Sequence, residues 1–462
     1  MSNNAVNQSD SNAAPCAVGG LLPLPTAADN QRQAQAQFSH LLEACIQCGM
    51  CLSSCPTYQV TGSEAESPRG RIHLMDLWQQ EQLTAMAIEP HINQCLGCRS
   101  CETACPSNVQ YGELLNTSRY LLKQQLMPHW FAGIKRWLLA VVLPSAQWLQ
   151  LARFGALLYQ TTGLRWLVHQ LGILKCLPAS LQAMEALCPP VSWQDAPALM
   201  AGQCFGSATA PLVCLPVGCV MNTFMADIHY ATIDILVALG YQVLIPALPC
   251  CGALAHHAGE RSLAQQQAVA TLIAWQQWQL PMVTPIVMNS AGCGAHYKEL
   301  TQLFSPTDEI YPSAQAFSQQ VVDIHEWLLP QLSLLQQRLK LLSSTQPTIK
   351  AIYQPACHLY HAQQIKTQPM AILEQLPNIE WVPLPDATLC CGSAGIYNIE
   401  QPVLSQQVLA AKLDAIEQTQ ATVLVVANPG CYLQLRKGLQ QRGMILEILH
   451  PVQLIARCLG KP

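Results

Sequence analysis

Charge is scarce in this chain. Of its 462 residues only 11% are Asp, Glu, Lys or Arg, half are hydrophobic, and the formal net charge is −4. A balance so near neutral leaves no electrostatic footprint for nucleic acid. Long apolar runs are missing as well. No stretch reaches the roughly 18 uninterrupted apolar residues of a membrane-spanning helix. The nearest, Trp137 to Leu143, stops at Pro144. No basic residue precedes Arg32, and residues 1–30 hold no compact apolar segment, so no secretion signal is expected. The chain is expected in the reducing cytoplasm, where dense cysteine patterns mean metal or redox chemistry rather than disulfide scaffolding. The G-x-G-x-x-G dinucleotide fingerprint and the Walker A loop are absent, and no flavin site is evident. Two-electron organic chemistry is therefore expected on a partner chain.

Cysteine, by contrast, is abundant, with 22 residues. Twice the run C-x2-C-x2-C-x3-C-P occurs: Cys45, Cys48, Cys51 and Cys55 before Pro56, then Cys95, Cys98, Cys101 and Cys105 before Pro106. Each run is the ligand set of a [4Fe-4S] cluster in bacterial-type ferredoxins. Three thiolates on a tight loop face one cluster, and the fourth, beside the proline, reaches the other. On that rule Cys45, Cys48 and Cys51 join Cys105 at one cluster, and Cys95, Cys98 and Cys101 join Cys55 at the second. Zinc would require neither the third evenly spaced Cys nor the Cys-Pro end. Between the runs stands Pro68-Arg69-Gly70-Arg71, whose arginines either balance anionic clusters or merely begin a helix.

The expected fold class is α+β and multidomain. Residues 1–37, rich in Asn, Gln, Ala and Ser, read as a disordered tail. Residues 38–126 read as a helical two-cluster ferredoxin domain, with a helix over 71–83. Residues 127–209 form a helical linker. From Leu114 through Met184 there is no Asp or Glu, while seven Lys or Arg and Trp130, Trp137, Trp148 and Trp166 occur. Such a stretch suits a membrane interface or an acidic partner, or is simply a set of solvated helices. Residues 210–345 and 346–462 read as two α/β units. Strands are expected over 212–217, 242–246 and 285–288, and again over 349–353, 380–384 and 422–427, with helices over 221–239 and 253–275.

Those two units are an internal duplication. Cys219 and Cys357 lie 138 residues apart, Cys250-Cys251-Gly252 and Cys390-Cys391-Gly392 lie 140 apart, and Cys293 and Cys431 lie 138 apart. Each falls just after an expected strand, the edge where ligands gather in open α/β sheets. A packed core has no reason to repeat a CCG triplet. The eight are candidates for an additional iron–sulfur cluster, a redox disulfide or a mixed metal and thiol site. Cys16, Cys176, Cys188, Cys204, Cys214 and Cys458 have no counterpart and read as buried core. His256, His257 and His358, near these cysteines, read as exposed or structural, with a ligand or proton role as the alternative.

Together these segments resemble a known family. CIQCGMCLSSCPTYQVTGSEAESPRGRIHLM from Cys45, CLGCRSCETACPSNVQY from Cys95, CCGALAHH from Cys250, SAGCGAHYKE from Ser290, LCCGSAGIY from Leu389 and ANPGC from Ala427 resemble the iron–sulfur subunits of bacterial glycolate oxidase. The resemblance implies partners that bind FAD or are FAD-like, one of which oxidises glycolate to glyoxylate. It also implies a quinone or other membrane electron acceptor, and a peripheral place at the inner face of the cytoplasmic membrane. The ferredoxin and CCG motifs are shared with heterodisulfide reductase subunits, lactate-utilisation proteins and the anaerobic glycerol-3-phosphate dehydrogenase iron–sulfur subunit. A lactate or other 2-hydroxy-acid dehydrogenase subunit, or a heterodisulfide-reductase-like thiol–disulfide protein, is thus the alternative. Ser290 and Asn428 stand where heterodisulfide reductases have a further Cys, which disfavours a five-thiolate cluster.

Overall fold

A computed structural model of the protein describes residues 25–126, 130–340 and 348–461. Cys16 and most of the expected tail lie outside the described residues. The rest of that tail is helical. Thr26 caps helix Ala27–Glu43 through reciprocal bonds with Asp29, the capping-box arrangement that satisfies two otherwise orphaned donors. Ala34, Phe38, Leu41 and Leu42 give this helix a buried face. Asn30 is buried too, and exchanges two amide hydrogen bonds of 2.8 and 2.7 Å with Gln265 of the first α/β unit. A composition that reads as disordered is here ordered by one cap and one long-range amide pair.

Helix Pro68–Gln79 begins as its residues dictate, with Ser67 accepting from the Gly70 N–H at 2.9 Å and proline at the first position. Thr84 likewise caps helix Ala85–Asn93. Helix Tyr111–Gln125 closes the bundle over a core of Phe38, Met75, Ile88, Ile92 and Leu114. The cysteine runs occupy the loops between these helices.

The linker is helical over Trp130–Trp137, Ala146–Thr161, Leu164–Gln170 and Ala179–Ala186. The cations of the acid-free stretch are less available than the absence of local acids suggested. Lys123 pairs with Glu260, Lys135 with Glu400, Arg153 with Asp195, and Arg165 with Glu185. The partners lie outside the acid-free stretch, which the local sequence could not reveal. The linker's apolar residues are the exposed ones: Trp137, Trp148, Leu151, Phe154, Trp166 and Leu171. Among the described residues no helix is long and apolar enough to cross a membrane.

Each α/β unit holds one twisted sheet. The first contains β1 (Cys204–Phe205), β2 (Leu212–Cys214), β3 (Gln242–Leu244), β4 (Ile286–Met288) and β5 (Val321–Asp323), in the order β1-β3-β2-β4-β5. The second contains β6 (Ile349–Gln354), β7 (Ile379–Trp381), β8 (Val423–Val426) and β9 (Glu447–Leu449), in the order β7-β6-β8-β9. All pairs are parallel except the edge strand β1. Matching the orders makes β3-β2-β4-β5 the counterpart of β7-β6-β8-β9, so the duplication includes strands β5 and β9 that the apolar patterning did not reveal. Helix Ala226–Ala238 packs on Pro451–Cys458, and Ile324–Leu328 packs on Gln368–Leu373. The units thus exchange equivalent helices about a pseudo-two-fold axis, burying Leu236, Ile324, Ile372 and Val452 completely.

Both long helices expected in the first unit are broken, into Val220–Phe224 with Ala226–Ala238 and into Ala253–His257 with Arg261–Gln276. The second break turns on Gly259, at φ +73°, where a Cβ would lie 2.9 Å from the Arg119 backbone. Only glycine permits both that conformation and that approach of the ferredoxin domain. Gly259→Ala should therefore cost about 1–3 kcal/mol of stability. Urea unfolding checks this, and an unchanged midpoint would contradict so tight a contact.

Candidate metal centres

The two cysteine runs ring two neighbouring hollows. The first is lined by Cys45, Cys48, Cys51 and Cys105, together with Cys101, Arg69 and Tyr111. The second is lined by Cys55, Cys95, Cys98 and Cys101, together with Arg71, Arg99 and Tyr111. Local geometry explains how the loops present these thiols. Gly49 and Gly97 adopt φ +80° and +62°, turning the chain tightly between consecutive cysteines. Cys55 stands at the N-terminus of helix Pro56–Thr61, and Cys105 at the C-terminus of Ser100–Ala104. No three metal-ligating side chains among the described residues converge on a point fit for a single ion. A ring of thiols around a hollow instead fits a cluster of several iron atoms.

The two hollows differ in depth. Cys48 is exposed, and Cys45, Cys51 and Cys105 are half-buried. Around the second hollow Cys55, Cys95 and Cys101 are buried. The arginines between the runs divide accordingly. Arg69 is partly exposed, bonded to Glu64 and to the Gln47 carbonyl beside the first hollow. Arg71 is fully buried beside the second. It donates to Glu66 Oε2 at 2.6 Å, to the Glu66 carbonyl at 2.6 Å, to Thr57 Oγ1 at 3.1 Å and to the His91 carbonyl at 2.7 Å. Thr57 Oγ1 in turn lies 3.2 Å from Cys55 Sγ. Burial opposes the Arg71 charge, but the field of Cys95, Tyr111, Cys55 and Glu66 outweighs it, so the guanidinium stays cationic.

The repeated cysteines also gather, at the C-terminal ends of the parallel strands. In the first unit Cys219 Sγ lies 3.7 Å from Cys250 Sγ, and Cys251 Sγ lies 3.3 Å from Cys293 Sγ. Hydrogen bonds along this row hold the Cys250 and Cys293 thiols below their ordinary range and push Cys219 and Cys251 above it. In the second unit the neighbouring Cys390 thiol and burial drive Cys357 above its ordinary range, and Cys391, beside Cys390 and Cys431, is likewise raised. Gly252 and Gly392, at φ +89° and +84°, redirect the chain after each cysteine pair. Two adjacent thiols that a straight strand would point apart can then serve one site. Asn428 bridges the two units: its Nδ2 donates to Cys431 Sγ at 3.6 Å, and its Oδ1 accepts from the Gly292 N–H at 3.2 Å.

Two features were not legible in the spacing. The first is a histidine layer between the thiol sites. His256 lies 5.4 Å from His296 and 6.1 Å from His257, which lies 5.3 Å from His358, ring centre to ring centre. Burial drives His256 and His257 far below the ordinary range and His296 and His358 to about 4, so all four are neutral at pH 7. None of the four is exposed. The second feature is contact between the ferredoxin domain and both units. Arg119 donates to the Cys95 carbonyl at 2.7 Å and to the His257 carbonyl at 2.9 Å. Leu96 and Cys98 pack with Cys357, Cys390 and Tyr397. Of the unrepeated cysteines, Cys214 is buried as expected, while Cys176 and Cys204 are exposed on the linker and the edge strand and Cys188 and Cys458 are half-buried.

Comparison with known proteins agrees with this layout. A 4Fe-4S dicluster domain matches residues 41–109, and a cysteine-rich domain matches 213–298 and 351–436. The linker region of the glycolate oxidase iron–sulfur subunit matches 132–188. The chain is 32% identical to a probable glycolate oxidase iron–sulfur subunit of Bacillus subtilis (strain 168), over 94% of this chain and 99% of that one. It is 29% identical to the glycolate oxidase iron–sulfur subunit of Escherichia coli (strain K12), over 91% and 95%. A lactate utilization protein A of Anoxybacillus flavithermus is 26% identical over 53% of this chain and 98% of its own.

The buried arginine gives a direct test of how the second hollow is held. Arg71→Met leaves the Glu66 carboxylate buried without its cation and should cost about 3–5 kcal/mol. Adding Glu66→Gln should recover most of that loss. Denaturant unfolding of the two variants checks the coupling, and additive effects would show that Arg71 and Glu66 act independently.

Proposed function

Because this chain belongs to the family of glycolate oxidase iron–sulfur subunits, we propose that it takes electrons from a flavin-bearing partner that oxidises glycolate to glyoxylate and passes them toward a quinone-type acceptor. It is an iron–sulfur electron-transfer subunit of an oxidoreductase, working with other subunits. The observation that carries the finer reading is the line of thiol-ringed sites leading inward from an exposed cysteine. In this reading Cys45, Cys48, Cys51 and Cys105 hold one [4Fe-4S] cluster, and Cys55, Cys95, Cys98 and Cys101 hold the other. Such clusters supply one-electron storage when bound. The protein's own part is to set access and surroundings. Cys48 lies between exposed Ile46 and Met50, an apolar rim on which a partner can seat. Tyr111 borders both hollows and points its hydroxyl at Cys95 Sγ, 3.8 Å away. Buried Leu96 and Arg71 keep water from the second. The four-thiol sites of the α/β units then serve as the onward relay. The linker match and the near-complete coverage favour this over the lactate reading.

The ligand assignment is tested by crossing. Anaerobically prepared full-length protein should hold at least about eight iron atoms per chain, the content of two cubanes. Cys55→Ser should alter the EPR signal of the cluster bound by Cys95, Cys98 and Cys101, and Cys105→Ser that of the other. Damage confined to each cysteine's own run would mean local ligation. In the assembled complex, glycolate should reduce a quinone analogue. Turnover with lactate alone would move the assignment to the alternative.

The linker's exposed apolar row supports docking on a membrane or a partner subunit, at the inner face of the cytoplasmic membrane. Since its cations are largely paired within the chain, attachment should rest on apolar contact and resist salt. Trp148→Ser with Phe154→Ser should release the protein from membranes more than raised ionic strength does. The reverse result would make the attachment electrostatic.

A further inference from the structure

The two repeated thiol sites have the same cysteines but different surroundings. Their helices can be aligned through the glycines of the CCG triplets. A Cβ on Gly252 would meet the Ala264 carbonyl oxygen, and one on Gly392 would meet that of Ser405. Ala264 and Ser405 therefore occupy one position in the two units, and Lys412 on helix Pro402–Thr419 answers to Thr271 on helix Arg261–Gln276. Thr271 is buried, uncharged and bonded to the Gln267 carbonyl. Lys412 is only 3% exposed. Its Nζ donates to the Asp386 carbonyl at 2.6 Å and to the Ala387 carbonyl at 3.4 Å, not to a carboxylate. A buried ammonium without a bonded carboxylate needs another source of negative charge. Burial shifts the Lys412 ammonium downward, and the groups that oppose this are the thiols of Cys357, Cys391 and Cys390 and then Asp386. Beside the first site stand His256, His296 and Tyr297, none of them a permanent cation. Arg261, the buried cation of that unit, turns its guanidinium to the Gln302 and Leu303 carbonyls.

Position reinforces this difference. Cys98, beside the second ferredoxin hollow, packs with Cys357 and Cys390. Two hydrogen bonds fasten the contact on either side: Tyr397 Oη donates to the Gln94 carbonyl at 3.0 Å, and Thr103 Oγ1 lies 2.8 Å from His361 Nδ1. The first unit meets the ferredoxin domain through other groups, chiefly Arg99 with Glu299 and Arg119 with the His257 carbonyl.

We propose that the duplicated sites have diverged, that the site of Cys357, Cys390, Cys391 and Cys431 receives electrons from the ferredoxin domain, and that Lys412 is the positioning cation that favours their arrival. The inference rests on the reading that this four-thiol set holds an iron–sulfur centre. Cys98, which would help to hold one centre, packs with Cys357 and Cys390, which would help to hold the other, so the one electron lost by the first would be the one gained by the second. No bond breaks and no proton moves. The receiving site becomes more negative by one charge, and the nearby ammonium, shielded from water, stabilises that charge. The site of Cys219, Cys250, Cys251 and Cys293 lacks such a cation and lies one relay further on.

Potentiometric EPR on the anaerobically purified full-length chain tests this. The signal of the second unit's centre is identified by its loss in Cys390→Ser and its retention in Cys250→Ser. Lys412→Met should make that centre at least tenfold harder to reduce, a shift of 59 mV for a one-electron couple, with the other midpoints unmoved. Lys412→Arg should restore most of it. Should Lys412→Met not fold, Lys412→Gln, which keeps a donor for the Asp386 carbonyl, reads the same loss of charge. An unmoved midpoint in the charge-loss variant, or a shift in the signal lost in Cys250→Ser, overturns the proposal. A chain with no iron beyond that of the ferredoxin domain would instead refute the underlying reading of the four-thiol set.

Discussion

Leu96 and Cys98 of the ferredoxin domain pack against Cys357, Cys390 and Tyr397 of the second α/β unit, and the proposed electron path depends on that contact. Without it the thiol-ringed hollows would be two separate devices, one in a helical bundle and one at a sheet edge. The contact is held from several sides. Tyr397 Oη donates to the Gln94 carbonyl and Thr103 Oγ1 meets His361 Nδ1, while Arg119 with the His257 carbonyl, Arg99 with Glu299 and Asn30 with Gln265 moor the same domain to the first unit. Each bond joins residues far apart in sequence, so the arrangement of the centres is a property of tertiary packing.

Duplication explains the rest of the architecture. Two sheets of matched strand order put their thiols at the C-terminal strand ends, the edge where open parallel sheets collect ligands. Exchange of equivalent helices across the pseudo-two-fold axis turns those ends toward each other, with Asn428 bridging to Gly292 and four neutral histidines layered between. Divergence then acts on single positions. Lys412 stands against Thr271, and repeat symmetry is lost where charge matters most.

Much of this was legible in the sequence because the decisive signals are local. The ferredoxin runs put their ligands within a few residues, and the CCG triplets repeat at a fixed interval. Strands β2, β3, β4, β6, β7 and β8 showed themselves as apolar runs, and all but β6, which extends to Gln354, are shorter in the structure than in the sequence. Strands β5 and β9 did not: Val321–Asp323 stands directly between two helices, and Glu447–Leu449 ends one residue before the helix Pro451–Cys458. Helix Ala27–Glu43 hid in a polar composition that its cap, its partner Gln265 and a short buried apolar face rescue. The linker's cations looked free because Glu260 and Glu400 lie far along the chain. Lys412 looked like any lysine on an amphipathic helix. Only burial next to thiols distinguishes it.

The central claim is a path from the ferredoxin domain into the second unit. Magnetic coupling between neighbouring reduced centres reports it most directly. Power-saturation EPR of the reduced full-length chain should show the second ferredoxin cluster relaxing rapidly through its neighbour. Cys390→Ser should slow that relaxation, and Cys250→Ser should leave it as in the parent. The opposite pattern, or relaxation indifferent to Cys390, would contradict the path.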